Sequence, residues 1–326
     1  MSAIELSLIV CTRDRADRLA RTLAHVAALQ GERAWELVVV DNGSRDRTPE
    51  MLREFARTCP HPLTLVHEPR PGLGRARNAG LRASAGALVA FVDDDCYPAA
   101  DFLARVRACF AENAHWGYLG GRILLFDPAD LPMTIQESLI PREIKPRSFV
   151  PTGLIQGANI AFRRVALEAV GGFDARLGAG TPFPCEDVDA VARLSAAGWM
   201  GAYDPRPVVY HHHGRRTRTE RERLLRAYDH GAGAYYVKCL LHPALRWPCV
   251  RHGVKACLKV MRAGFHRSYG AIRFLLRPGG GGGSRLDEPA RPAPGFVGSA
   301  PAPVGAAALC RAGDAVGVER NREAAG

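Results

Sequence analysis

The sequence lacks several features that mark common classes of protein. Its nine cysteines include no Cys-x-x-Cys pair and no tight cluster, which argues against a disulfide framework or a structural zinc site and favours a reducing compartment. No uncharged run of about eighteen residues, the length needed to span a bilayer, is present. The first residues show no basic segment followed by an apolar run, so no signal peptide is predicted. We therefore expect a cytoplasmic protein.

Two familiar nucleotide-binding motifs are also missing. There is no Gly-x-x-x-x-Gly-Lys-Ser/Thr sequence, which excludes a P-loop ATPase or GTPase. The stretch from Gly72 begins like the dinucleotide fingerprint Gly-x-Gly-x-x-Gly, but Arg77 occupies the position of the third glycine. The stretch also follows Arg70-Pro71 and not the first predicted strand. A nicotinamide or flavin cofactor is not expected.

Positive charge is abundant but confined to one region. The 326-residue chain has a formal net charge of +11. Between Arg215 and Arg277 there are fifteen Lys and Arg residues against three acidic residues, a local net charge of +12. The rest of the chain is close to neutral. The positive charge therefore indicates what kind of partner this one region binds. It does not predict a nucleic-acid-binding main domain.

Apolar, β-rich segments alternate with amphipathic helical patterns in the first part of the chain. Predicted strands end at Cys11, Val40 and Val92, with a short strand at 63–67 between the last two. This alternation predicts an α/β fold with a mostly parallel, doubly wound sheet. Polar residues follow directly after the three named ends, so we expect binding chemistry along one edge of the sheet.

Three consecutive carboxylates, Asp93, Asp94 and Asp95, follow one of these strands. Adjacent acidic side chains repel one another and are costly to desolvate, so they need water, a basic partner or a cation. Hard divalent ions such as Mg²⁺ take oxygen ligands and usually share them with a substrate phosphate. The alternative is an exposed turn with helix-capping aspartates before Pro98.

Three consecutive histidines follow a later predicted strand, 208–210. Alternation along an extended backbone places His211 and His213 on one face and His212 on the other. Neutral imidazole is a good ligand for a divalent ion, and these rings could meet the aspartates in space. The alternative is a solvated loop containing one satisfied histidine.

A third acidic group begins a predicted helix, with Glu186, Asp187 and Asp189 in its first turn. Acidic residues at this position interact favourably with the helix dipole, which is the structural alternative to a functional role.

Taken together, these segments resemble family 2 glycosyltransferases, inverting enzymes that use nucleotide sugars and have the GT-A fold. The resemblance covers about 6–214. Each of its five segments is weak evidence alone, but the five in this order are strong evidence. The matching segments are Ser7–Arg13 (opening strand and nucleotide loop), Val38–Ser44 (Val-Asp-Asp/Asn-Gly-Ser), Gly72–Gly80 (Gly-x-x-x-Ala-Arg-Asn-x-Gly), Phe91–Asp95 (Asp-x-Asp) and Gly171–Asp174 followed by Glu186-Asp187.

The resemblance implies roles for individual residues and a Mg²⁺ or Mn²⁺ cofactor. Asp187 is the expected catalytic base, with Glu186 as the second choice or an acceptor ligand. The expected metal ligands are Asp95, then Asp93, with His211 preferred to His213. The expected donor-binding residues are Thr12, Arg13, Asp41, Asn42, Arg75, Arg77, Asn78, Asp93 and Asp94, of which Asp41 contacts the base or ribose and the arginines Arg75 and Arg77 the diphosphate.

The expected partners are a nucleoside-diphosphate sugar, with a UDP-sugar favoured, and a glycan or lipid-linked acceptor. The Gln-x-x-Arg-Trp motif of the processive synthases is absent, which favours the transfer of a single sugar. A sugar-phosphate nucleotidyltransferase is an alternative, but it would normally carry a Gly-rich basic loop where Thr12-Arg13-Asp14 stands. A second alternative is a non-catalytic membrane- or polyanion-binding protein with an inactive GT-A domain.

The domain prediction has three parts. Residues 1–214 form the GT-A domain, divided at about 115 into a nucleotide-sugar half and an acceptor half. Residues 215–277 form a basic helical region, in which 245–277 would lie on an anionic membrane surface or pack on the domain with a solvated basic face. Residues 278–326, rich in Gly, Pro and Ala, are predicted to be disordered. The expected location is the cytoplasm, at the inner face of the membrane if this surface binds lipid.

Overall fold

The computed structural model describes residues 4–30, 35–252, 269–273 and 275–276. These residues form one mixed sheet of nine strands with helices on both faces. The strands are β1 (Leu6–Thr12), β2 (Trp35–Asp41), β3 (Leu63–His67), β4 (Leu88–Asp93), β5 (Cys96–Pro98), β6 (Trp116–Leu125), β7 (Arg142–Ile144), β8 (Asn159–Arg163) and β9 (Met200–His211). The helices are α1 (Ala16–Ala27), α2 (Thr48–Thr58), α3 (Leu73–Ala83), α4 (Phe102–Glu112), α5 (Arg164–Ala169), α6 (Glu186–Ala196) and α7 (Arg218–Leu241).

The first half of the sheet is parallel, and its strands β1, β2 and β4 are buried on both faces. Strand β1 pairs in parallel with β2 and β4, and β2 pairs in parallel with β3. Alternate residues of these strands enter two different cores: Ile9 and Val38 face one, whereas Leu8 and Val39 face the other. Burial on both faces explains why these strands read as continuous apolar runs. The predicted doubly wound α/β fold is confirmed.

The second half of the sheet is mixed. Strand β8 is inserted antiparallel between β4 and β6, while β9 runs parallel to β6. The short strands β5 and β7 pair antiparallel with β9. Pairing of β5 with β9 brings Cys96 opposite His211, so this arrangement places the histidines directly beside the acidic triplet.

The register of the parallel strands gathers the predicted polar residues at one edge. Thr12 is paired with Asp41, and Cys11 with Asp93. The carboxyl ends of β1, β2 and β4 therefore lie side by side, as the sequence predicts for a ligand-binding edge.

Helix α7 attaches the chain after residue 214 to this core. A capping box formed by Thr217 and Glu220 begins the helix, and Tyr235 donates a hydrogen bond to the carbonyl of Val150. Tyr235 and Cys239 belong to the same buried cluster as the residues of α6. Among the described residues, no helix has the length and hydropathy required to cross a bilayer.

Most of the predicted basic amphipathic face and all of the predicted tail, 278–326, lie outside the described residues. The boundaries proposed at 214 and 277 stay predictions.

Candidate active site

A cleft of about 1100 Å³ opens at the carboxyl ends of β1 and β4. The start of α6 and one side of α7 form its opposite walls. Ten of the residues singled out in the sequence line it: Thr12, Arg13, Asn42, Arg77, Asp93, Asp94, Asp95, Glu186, Asp187 and His211.

The acidic triplet is divided between two arginines. Arg15 Nη1 donates to Asp94 Oδ1 at 2.9 Å and to Asp95 Oδ2 at 2.7 Å. The Thr12 hydroxyl donates to the other oxygen of Asp94 at 2.7 Å. Asp93 points to Arg77 instead, with Nη2 3.2 Å from Oδ1. The basic partner required by three adjacent carboxylates is thus built into the fold.

Burial and pairing push the two Arg15-bound aspartates in opposite directions. Burial disfavours the charged form of both carboxylates. For Asp94 this effect prevails over the charge of Arg15, and the pKa is raised. For Asp95 it is outweighed by the hydrogen bond and charge of His211 together with Arg15, and the pKa lies below its ordinary range. Asp95 is therefore held in the ionised form, which is the form that binds a cation.

The donor atoms beside Asp95 fit a divalent cation. Oδ1 of Asp95 lies 3.3 Å from Nε2 of His211, and ligand atoms of Asp95, Cys96 and His211 lie within 4.8 Å of one another. Burial raises the pKa of Cys96 well above its ordinary value, and a thiol is a softer ligand than the oxygen donors that Mg²⁺ and Mn²⁺ prefer. The Thr134 hydroxyl, 3.1 Å from Nδ1 of His211, orients the ring. Carboxylate and imidazole suit Mn²⁺, and carboxylate with substrate oxygens suits Mg²⁺.

His213 is less available than His211. Its Nε2 lies 2.9 Å from the carbonyl of Leu131, and its Nδ1 accepts the backbone N–H of Arg215 at 2.9 Å. Its side chain is fully buried. Because both ring nitrogens are occupied, the geometry favours His211, although metal binding by either residue stays a prediction.

Arg77 joins the β4 and α6 sides of the cleft. Its side chain is only 2% exposed, and Nη1 lies 3.1 Å from Oε1 of Glu186 while Nη2 contacts Asp93. Nη2 also donates to the carbonyl of Gly157 at 3.1 Å. The guanidinium is therefore fixed between one carboxylate on β4 and another on α6.

Asp187 and Glu186 are adjacent in sequence but differ in environment. Asp187 is partly exposed, lines the cleft, and accepts the Gly157 N–H on Oδ2 at 2.7 Å. Glu186 is 5% exposed, and burial raises its pKa to about 7 against the opposing charge of Arg77. Asp187 is thus placed to meet a substrate, whereas Glu186 is engaged with Arg77.

Two predicted donor-binding asparagines hold backbone segments in place. The side chain of Asn42 donates to the carbonyls of Glu68 and Arg70, and its oxygen accepts the N–H of Gly72 at 2.8 Å. The amide of Asn78 pairs with both the N–H and the carbonyl of Phe173, each at 2.8 Å. These bonds connect the loops around the cleft.

Asp41 accepts the Ser44 N–H at 2.9 Å and lies 3.3 Å from Nδ1 of His67. Asp41, Arg75 and Asn78 are not among the residues lining the cleft. Their contact with a donor stays a prediction.

The sequence analysis missed several residues of the cleft. Arg15 is two residues beyond the predicted Arg13 in the polar loop after β1. It could have been identified from the sequence by looking for basic residues able to balance the charge of the acidic triplet. Arg215, Arg221 and Tyr228 line the far wall. For Arg221 and Tyr228 the signal is a helical spacing that becomes meaningful only once α7 is known to face the cleft, whereas Arg215 precedes this helix.

The fold is similar to that of solved glycosyltransferases. The mannosyltransferase PcManGT of Pyrobaculum calidifontis, in complex with GDP-Man and Mn²⁺, superposes with a TM-score of 0.58 at 22% identity, covering 85% of this chain and 82% of that one. TarS 1-349 of S. aureus, in complex with UDP-GlcNAc, gives a TM-score of 0.55 at 17% identity, covering 83% and 72%.

The chain belongs to glycosyl transferase family 2, because the model of that family matches residues 7–171, half of the sequence. The resemblance seen in the motifs is confirmed. Similar proteins include glycosyltransferase AglE of Haloferax volcanii, 34% identical over 31% of this chain and 33% of that protein. The pre-mycofactocin glycosyltransferase of Mycobacterium tuberculosis is 29% identical over 64% and 43%. The chain thus aligns with less than half the length of these relatives.

Proposed function

We propose that this protein is a metal-dependent, inverting glycosyltransferase that moves one sugar from a nucleoside-diphosphate sugar to an acceptor hydroxyl. The observation that carries the proposal is the meeting of Asp93–Asp95, Arg77, His211 and Asp187 in one cleft. A UDP-sugar is the favoured donor and a glycan or lipid-linked molecule the favoured acceptor, in cell-surface glycan or glycoconjugate biosynthesis. The GDP-Man and UDP-GlcNAc complexes of the two structural neighbours support a nucleotide-sugar donor.

Proton removal from the acceptor is assigned to Asp187. Inversion at the anomeric carbon requires a base on the face opposite the leaving group. Asp187 is the partly exposed carboxylate on the α6 wall, and the Gly157 N–H fixes its orientation. Gly157 donates its N–H to Asp187 and accepts a hydrogen bond from Arg77 on its carbonyl, so this residue ties the position of the base to the donor side of the cleft.

Stabilisation of the leaving diphosphate is assigned to the opposite wall. Asp95 and His211, with Asp93, would hold a divalent cation, which when bound offsets the negative charge developing on the leaving group. Arg77 lines the cleft between this group and the base. Arg15 fixes Asp94 and Asp95, and so orders the ligand side before substrate binds.

The proposal is tested by binding of nucleoside diphosphates and by a donor screen. Calorimetry with a panel of nucleoside diphosphates should find one that binds in the presence of Mn²⁺ or Mg²⁺ and is weakened by chelation. Asp95→Asn should reduce metal-dependent affinity about 10- to 100-fold, the usual cost of disturbing a metal site. Asp101→Asn, which changes an exposed carboxylate at the start of α4, is the matched control.

Each nucleotide sugar is then supplied with candidate acceptors, and the released nucleoside diphosphate is measured. A protein that binds no nucleoside diphosphate, or binds one equally well in Asp95→Asn, would contradict the proposed function.

A further inference from the structure

One face of α7 forms a wall of the cleft. Arg221, Leu225, Tyr228 and Ala232 all line it, with the spacing i, i+4, i+7 and i+11 that places side chains on a single helical face. This wall lies beyond residue 171, where the match to the family ends. It also follows Glu186-Asp187, the last of the five motif segments that resemble the family.

The apolar side chains of this wall are open to the cleft. Leu225 is 43% exposed and Tyr228 is 38% exposed, whereas Tyr235, two turns further along, is fully buried in the core. Tyr228 lines the same cleft as Asp93 and Asp187. An aromatic ring in the cleft that holds the candidate base is a surface on which a flat or apolar part of an acceptor can pack.

Two arginines accompany these side chains without acidic partners. Within the described ranges, Arg215 and Arg221 form no salt bridge, although both line the cleft. Their sequence neighbours are paired: Arg216 binds Asp127 and Asp130, and Arg218 binds Glu222. Asp229 also lines this wall, but it has an interaction of its own.

We propose that the α7 wall binds the acceptor and that the acceptor carries a phosphate group. Arg221 and Arg215 would contact the phosphate, because guanidinium groups bind phosphate oxygens in a bidentate manner. Leu225 and Tyr228 would contact the sugar or apolar part next to it, which brings the acceptor hydroxyl to Asp187. This inference rests on the proposed glycosyl transfer and defines the chemical class of its acceptor.

The test separates this wall from the donor site. The full chain is first saturated with Mn²⁺ and the nucleoside diphosphate that it binds, and failure at this stage would concern the proposed function alone. Calorimetry then measures binding of 4-nitrophenyl phosphate, with 4-nitrophenyl β-glucoside as the probe lacking phosphate. We expect the phosphate probe to bind at least tenfold more tightly, in line with a hydrogen bond to a charged group.

Substitutions in α7 then locate the probe. Arg221→Ala should lower its affinity about tenfold, Arg221→Lys should lower it less, and Tyr228→Leu should weaken both probes. Arg223→Ala is the matched control, since it removes the same charge from the same helix at a position outside the cleft lining. An equal loss in Arg223→Ala, equal binding of the two probes, displacement by the nucleotide, or no binding would each overturn the proposal.

Discussion

Arg77 and Arg15 form ion pairs with different carboxylates of the cleft. Arg15 holds Asp94 and Asp95, while Arg77 is shared between Asp93 and Glu186. A buried carboxylate without such a partner would be protonated or would destabilise the fold. Because Asp187 binds the Gly157 N–H and no arginine in the described structure, it is the acidic residue of α6 that stays available to a substrate.

Replacing Asp187 by Asn should separate donor binding from catalysis. The amide keeps the size of the side chain but cannot accept the acceptor proton, so the transfer rate should fall about 100-fold or more. Affinity for the nucleoside diphosphate with metal should change little. The rate is measured as released nucleoside diphosphate with the donor and acceptor identified in the screen. Full transfer activity in Asp187→Asn would remove this residue from the role of base.

Replacing Gly157 by Ala should disturb Arg77 and Asp187 together. A Cβ at position 157 would lie 2.4 Å from Nη2 of Arg77 and 2.7 Å from Nη1. The guanidinium is buried and held by Asp93 and Glu186, so it cannot move aside freely. We expect at least a tenfold loss of transfer, since displacements of about 1 Å in a catalytic site can cost about 100-fold.

The control for this variant is Gly153→Ala. No atom lies within 4 Å of a Cβ at position 153, although its φ of +84° means that this control carries local backbone strain of its own. Circular dichroism and thermal unfolding show whether each variant is folded. Wild-type activity in a folded Gly157→Ala protein would contradict the assigned contact.

At the residue scale, the sequence predicted which acidic side chains lie in the cleft better than it predicted which groups bind them. The positions of Asp93–Asp95 and Asp187 follow from strand and helix ends, which are local properties. The pairing of Arg15 with the triplet joins residues about eighty positions apart, and no local pattern reports it. Asn78 shows the same limit, because its two bonds to Phe173 depend on how α3 packs on the loop before α6.

Helix α7 is fixed to the catalytic core by a buried ion cluster. Nζ of Lys238 lies 2.7 Å from Asp174 and 2.5 Å from Asp189 on α6. Asp174 is also held by Arg176, and Asp189 by Arg193. The cluster therefore couples the α7 wall of the cleft to the helix that carries Asp187.

Removing Lys238 should weaken this attachment in a pH-dependent manner. Burial would raise the pKa of Asp174, but hydrogen bonds and charge from Arg176 and Lys238 outweigh it and lower the pKa. The ionised form is thus favoured by folding. Its contribution is complete above the unfolded value of about 3.9 and is lost as the pH falls from there through the lowered pKa of the folded protein. Lys238→Met should cost about 2 kcal/mol at pH 7, less than breaking an isolated buried pair, because each aspartate keeps an arginine.

The measurement is urea unfolding of Lys238→Met and wild type between pH 7 and pH 2, with Arg226→Met as the control on the same helix. The difference in unfolding free energy should be largest at pH 7 and shrink towards pH 2, because Asp174 becomes protonated first in the folded variant, which has lost one of the groups that lower its pKa. A difference that stays constant across this range would show that Lys238 acts through packing alone.

The predictability of the elements depended on their burial. Strands β1, β2 and β4 were evident because both faces are buried and the chain shows continuous apolar runs. The antiparallel insertion of β8 and the position of β5 against β9 could not be derived, since strand order is set by contacts between distant segments. These two pairings are the ones that bring His211 to Asp95.

At the scale of the whole molecule, the described part of the basic region contains both buried and exposed side chains. Leu245 and Cys249 are buried in the same core as α6. In contrast, Trp247 is 74% exposed, and Arg251, four residues further on, is also exposed. This arrangement fits the prediction that 245–277 binds an anionic membrane. Residues 253–268 of this segment lie outside the described residues. Deleting 245–277 would uncover the core, so surface substitutions give the sharper experiment.

Co-sedimentation with liposomes tests this surface. We expect the full chain to bind vesicles containing anionic lipid, to bind neutral vesicles weakly, and to be released by salt, because basic residues near an anionic bilayer contribute about 1 kcal/mol each. Arg251→Glu should reduce binding about tenfold or more by reversing one charge, and Trp247→Ser should reduce it by removing an interfacial aromatic anchor. Arg223→Glu on α7 makes the same change of net charge outside 245–277. Equal losses in Arg251→Glu and Arg223→Glu would reduce the effect to overall charge, and unchanged binding in both 245–277 variants would refute the membrane surface.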